Sequence, residues 1–106
     1  MKWFLAVLIL TGCAAQAGAQ QMLEVENQSD HAMTGVAIWE IRADGSVIDD
    51  NLGGIAQPLP GHSAPIFELP ITRCLEHLRV DVTYDDGHEA TQEINLCQKQ
   101  SLTFRY

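Results

Sequence analysis

The segment from Leu78 to Leu96 constrains the fold of this chain more than any other. Leu78, Val80, Val82 and Tyr84 alternate with Arg79, Asp81 and Thr83, and after Asp85-Asp86-Gly87 the residues Ala90, Gln92, Ile94 and Leu96 share one parity. A period of two describes a strand with one face in a core and the other in water. Opposed residues of a hairpin put their apolar sets on one face only when their numbers sum to an even value, and 172 sets Leu78 against Ile94 and Val82 against Ala90. That register leaves Asp85, Asp86 and Gly87 as a three-residue loop, whose third position is left-handed and suits glycine. On the polar face it opposes His77 to Asn95. It also opposes Arg79 to Glu93, an expected ion pair that contributes a fraction of a kcal/mol.

Cys74 and Cys97 lie just beyond the open end of this hairpin, one residue out of opposition. A disulfide between them is expected, provided that a strand stops or bends before its cysteine and lets the α-carbons approach. In the chain-entropy account, closing that loop contributes about 3 kcal/mol, a large share of the stability of a chain of 106 residues.

The remaining apolar residues also alternate in short runs broken by Gly, Pro, Asn and Asp. Strands are predicted over Met22 to Asn27, over Met33 to Arg42 with a bulge at Gly35, near Val47 and Ile48 after an Asp44-Gly45 turn, over Ala64 to Leu69, and over Ser101 to Tyr106. Pro65 marks its strand as an edge or a start. Pro60-Gly61 suits a type II turn with Gly61 at positive φ. Trp39 is expected to anchor the core, given the area that tryptophan buries. Six or seven strands without helical periodicity predict an all-β fold: a small antiparallel β-sandwich, immunoglobulin-like, with one disulfide.

The N-terminus reads as a leader. MKWFLAVLILTG has one cation, a short apolar run and then small residues, the layout of a secretory signal. Ala17 and Ala19 form an A-x-A site that puts the signal at residues 1–19 and the domain at residues 20–106. Leu10-Thr11-Gly12-Cys13 offers a second reading, a lipobox in which Cys13 is acylated. The first gives a leader of ordinary length and leaves Cys74 and Cys97 as an even pair for an oxidising compartment. The expected location is therefore periplasmic or secreted, with a lipid anchor through Cys13 as the alternative. The apolar run is too short for a transmembrane span, which needs about 20 residues. Without Lys2 the chain keeps five basic residues against 14 acidic ones, so nucleic acid would repel it.

No motif for chemistry emerges. His31, His62, His77 and His88 lack the spacing of a metal set, and Asp44, Asp49, Asp50 and Asn51 lack that of a calcium loop. Asp85-Asp86-Gly87 reads as turn chemistry. Ser29-Asp30-His31 has the residue types of a triad, but adjacent residues do not converge on a substrate, so it too reads as a turn. Gly53-Gly54 opens no phosphate loop. No catalytic residue, metal or cofactor is expected. The long connection from Asp49 to His62 is the expected contact surface, with Asp49, Asp50, Asn51 and His62 as its candidate contact residues.

Asn51-Leu52, Leu59-Pro60-Gly61, Cys74 followed by Leu78-Arg79-Val80, Asp86-Gly87, and Leu96-Cys97 before Leu102 resemble a family of small secreted proteobacterial β domains that have no assigned function. Members show a tryptophan before the Asn-Leu pair and an aromatic-acidic pair after the first cysteine, where this chain has Asp49-Asp50 and Glu76-His77. The resemblance implies a disulfide-linked β domain outside the cytoplasm and carries no catalytic residues. The expected role is an exported, non-catalytic interaction or binding module for a protein or small ligand of the cell envelope. Two alternatives stand beside it. One is an inhibitor of a periplasmic or extracellular enzyme, acting through a protruding central loop. The other is a small metal-dependent hydrolase using His62 or the Asp49-Asp50 loop.

Overall fold

The computed structural model describes residues 19–106, so Cys13 and the leader assigned to residues 1–19, Ala19 apart, lie outside the described residues. Seven strands follow one another: β1 (Met22–Gln28), β2 (Met33–Ile41), β3 (Val47–Gly53), β4 (Ile66–Glu68), β5 (Leu78–Tyr84), β6 (Glu89–Ile94) and β7 (Ser101–Arg105). They form two sheets, one ordered β4-β1-β7 and the other β3-β2-β5-β6. The described residues form an all-β sandwich, as the alternation predicts. One pair departs from the antiparallel expectation: β7 runs parallel to β1, whereas β4, on the other side of β1, runs antiparallel to it.

Alternation decides which face each strand buries. In β5 the pattern is strict, with Leu78, Val80, Val82 and Tyr84 buried and the residues between them partly exposed. Leu23 and Val25 of β1 and Leu102 and Phe104 of β7 meet that row, together with Val36 and Ile38 of β2, in one core. Each such side chain contributes about 1.5–3 kcal/mol on burial, before the entropy of ordering it. Two polar residues also occupy core-facing positions. Asn27 of β1 is fully buried, while Gln92 of β6 reaches across and donates from Nε2 to the Thr103 carbonyl of β7 at 2.6 Å. This bond ties the two sheets together along one side.

The hairpin has the predicted register, Leu78 against Ile94 through Thr83 against Glu89. Gly87 takes φ 90°, and the Tyr84 amide donates to the His88 carbonyl. The bulge in β2 falls between Met33 and Gly35. Cys74 and Cys97 are joined, with α-carbons 5.1 Å apart. Both strands stop before their cysteines, and the Leu96 amide donates to the Leu75 carbonyl one step out of the hairpin register.

Other expectations need correction. β3 is a full strand of seven residues rather than a short one near Val47, so Asp49, Asp50 and Asn51 lie within an edge strand and not in a loop. β4 has only three residues; it is an edge strand, as Pro65 implies. Trp39 does not anchor the core. It points outward beside Val36 and Ile38, half-buried, with the Arg79 guanidinium 5.0 Å above its ring. Arg79 opposes Glu93 in register but does not pair with it. Its Nε lies 3.4 Å from Asp81 Oδ2, two residues along the same face, an ionic contact without hydrogen-bond geometry. The cation–π contact with Trp39 draws the guanidinium toward β2 and away from β6. Gly61 does not supply the positive φ near Pro60; His62 does, at 59°. Gly61 is required for space instead, since a Cβ there would stand 2.5 Å from the Ser29 carbonyl oxygen and 3.0 Å from the Asp30 carbonyl carbon.

Candidate functional site

Three connections from different parts of the chain meet at one pole of the sandwich, and buried Asn27 explains why two of them do. Its Nδ2 donates to the carbonyls of His31 at 2.8 Å and Pro60 at 3.2 Å, and its Oδ1 accepts the Ser29 hydroxyl at 2.7 Å. Ser29 Oγ in turn accepts the His31 amide. The backbone of Asn27 exchanges bonds with His62 and Ser63, both at 2.8 Å. A buried amide left short of partners costs about 1–3 kcal/mol, so this satisfied set fixes the loops that it joins. The third connection docks through Asp85, whose amide donates to the Ala32 carbonyl and whose Oδ2 accepts the Ala32 amide.

These loops present polar side chains to solvent around a shallow depression of about 370 Å³, lined by Gln28, Asp30, His31, His62, Arg105 and Tyr106 among others. His62 Nε2 donates to Asp30 Oδ1 at 2.6 Å, and that bond holds the Asp30 carboxyl below the usual range. His31 Nδ1 donates to Asp85 Oδ1 at 2.9 Å. The Tyr106 ring stacks on His31 with centroids 4.4 Å apart and meets Tyr84 edge-on at 5.1 Å and His88 at 4.8 Å. Such aromatic contacts are each worth about 0.5–1.5 kcal/mol beyond the area they bury. The Tyr106 hydroxyl donates to Asp86, which lowers the Asp86 pKa and raises that of Tyr106; the His88 amide on Asp86 adds to the first effect. Burial raises the Tyr84 hydroxyl pKa, and among the described residues this hydroxyl has no hydrogen-bond partner.

The residues expected to share a contact surface are divided. His62 sits at this pole, whereas Asp49, Asp50 and Asn51 belong to β3, where Asp49 Oδ1 accepts the Asn51 amide. Ser29-Asp30-His31 forms a bend and no triad: the Ser29 hydroxyl is committed to Asn27, and the His31 imidazole faces Asp85. His77 lies at the other end of β5, lining a depression of about 600 Å³ beside the disulfide. The pairing of His31 with Asp85, 54 positions apart, has no sequence signature. Asn27 has one, because it occupies the same parity as Leu23 and Val25, where a polar side chain must find partners.

Among the described residues, no helix is long and apolar enough to cross a membrane. No protein-family model and no curated protein matches the sequence. The fold is similar to that of a protein from Eubacterium rectale solved by NMR, with a TM-score of 0.56 and 13% identity over 79% of this chain and 73% of that one. A likeness at that identity concerns the fold alone.

Proposed function

We propose that the protein is an exported, non-catalytic binding module that presents this pole as its contact surface, within the family of small secreted proteobacterial β domains that its sequence resembles. The carrying observation is the division of labour around Asn27. Buried bonds fix the backbone of the loops, while the side chains they display, His31, His62, Arg105 and Tyr106, remain in reach of solvent. A preorganised rim of histidine, tyrosine, arginine and aspartate suits recognition, since little ordering is needed when a partner arrives. The leader pattern and the Cys74–Cys97 disulfide suit an oxidising compartment such as the periplasm.

The inhibitor reading draws less support, because residues of the central connection are tied down: Leu59 bridges to Met33 and Ser63 to Asn27. The hydrolase reading draws less support, because Asp49 and Asp50 lie in the edge strand β3 and not in a loop, and Asp49 Oδ1 is taken by the Asn51 amide.

Crosslinking of the protein in envelope extracts tests the proposal. A partner captured by the native protein and lost from a variant carrying His62→Ala and Tyr106→Ala supports it. Capture that is indifferent to both changes, or turnover of a substrate that they abolish, overturns it.

A further inference from the structure

The sequence places no ligand set together, yet the fold brings an imidazole and two carboxylates into one cluster at the pole. One donor atom from each of His31, Asp85 and Asp86 lies within 4.8 Å of the others. We infer that these three residues bind a divalent transition metal of the zinc class.

The donor set argues for this class of ion. Calcium and magnesium take oxygen ligands, whereas zinc, nickel and copper accept an imidazole nitrogen beside carboxylates. Three protein donors with solvent on the open side leave the fourth position of a tetrahedral ion to water or to a donor from a partner. Ligand atoms on a tetrahedral zinc lie about 3.3 Å apart, given bonds of about 2.0 Å. His31 Nδ1 and Asp85 Oδ1 are already at 2.9 Å, so the cluster closes on the ion by small rotations of exposed side chains. The imidazole proton moves to Nε2, and Nδ1 then offers its lone pair in place of its bond to Asp85.

The surroundings support the same three residues from outside. The Ala32 amide holds Asp85, the His88 amide and the Tyr106 hydroxyl hold Asp86, and the Tyr106 ring stacks on His31. Donors of this kind orient metal ligands and raise affinity. A separate observation concerns Tyr84, which is 1% exposed and packs edge-on against Tyr106. Its hydroxyl is buried and has no hydrogen-bond partner among the described residues. Buried hydroxyls in native proteins are nearly always satisfied, by water or a bound group when not by protein. The two carboxylates and a chain of net charge −8 also favour a dication over an anion.

This inference rests on the pole being a binding surface, and its test uses the metal alone. Zinc chloride is titrated calorimetrically into the purified, disulfide-intact protein in a non-chelating buffer. The expected result is saturable binding of one ion per chain, at least tenfold weaker in His31→Ala and in Asp85→Asn, and unchanged in His77→Ala. Calcium chloride should bind at least tenfold more weakly than zinc. Circular dichroism confirms that each variant is folded, and Asp85→Asn carries the test if His31→Ala is not. NMR supplies a second readout: zinc should shift the imidazole resonances of His31 and leave those of His77 in place. Absence of saturable binding, zinc binding indifferent to both substitutions, or equal affinity for calcium overturns the inference. In each of those cases the crosslinking experiment still judges the binding-module proposal by itself.

Discussion

The Asn27 side chain donates to the His31 carbonyl and to the Pro60 carbonyl, joining two loops that are 29 positions apart in the sequence through one buried amide. Asn27→Ala removes both donors and the acceptor for Ser29 where Asn27 and Ser29 are themselves buried. The expected loss is about 3 kcal/mol of unfolding free energy, since each stranded buried polar group costs about 1–3 kcal/mol. Urea denaturation measures it, and a loss below about 1 kcal/mol would show that the loops are held by something else.

Gly61 and Gly35 make a contrasting pair. An added Cβ at Gly61 runs into the backbone of Ser29 and Asp30, which cannot yield without moving the Asn27 network. At Gly35 the nearest atom is the Thr83 Cβ at 3.5 Å, an ordinary contact. Gly61→Ala should cost about 2 kcal/mol or more and Gly35→Ala less than about 1 kcal/mol. Equal thermal midpoints for the two variants would refute the steric account.

Both tyrosines of the chain have raised pKa values, Tyr84 through burial and Tyr106 through its bond to Asp86. A spectrophotometric titration should therefore show no tyrosinate step at the ordinary value of about 10. Asp86→Asn should bring one step, that of Tyr106, back down toward it. The linkage has two signs. For Asp86, lowered in the fold, the stabilisation is present above the ordinary aspartate range and is lost as pH falls through the lowered value. For Tyr106, raised in the fold, it is present below the ordinary tyrosine value and is lost as pH climbs through the raised one.

Reduction of the Cys74–Cys97 disulfide opens a loop with a sequence separation of 23. Cys74→Ser with Cys97→Ser should lower stability by about 3 kcal/mol at unchanged secondary structure, because the hairpin register is set by β5 and β6 themselves. Thermal unfolding followed by far-ultraviolet circular dichroism gives both quantities. A folded-state spectrum altered before heating would mean that the disulfide sets the register.

The hairpin was legible because two constraints agree there: the parity of Leu78 to Tyr84 against Ala90 to Leu96, and the demand of a three-residue loop for Gly87 at its third position. Trp39 faces outward although the area of a tryptophan favours burial. Its parity is opposite to that of Val36 and Ile38, which face the core, and only past the register shift after Glu40 does Ile41 return to the buried side. Arg79 pairs along its own strand and over Trp39 instead of across to Glu93, a choice among partners at the sheet surface that differ by fractions of a kcal/mol. The pole was the least legible part. His31, Asp85 and Tyr106 meet only because the bend after β1, the turn after β5 and the end of β7 lie at the same end of the two sheets, and no local pattern records that. Asn27 and Gln92 were the available signals, polar residues at core-facing positions whose partners had to come from elsewhere.

The parallel pairing of β1 and β7 has a mechanical consequence. Glu24 faces Ser101 and Gln28 faces Arg105, so the two strands point the same way. A pull applied through the two ends of the chain draws β1 backward and β7 forward along their shared axis. The bonds between them then lie across the load and bear it together, as in a lap joint, whereas an antiparallel hairpin pulled from its open end gives way one bond at a time. A domain strung between an anchor on one side and a partner on the other would resist tension first at this seam.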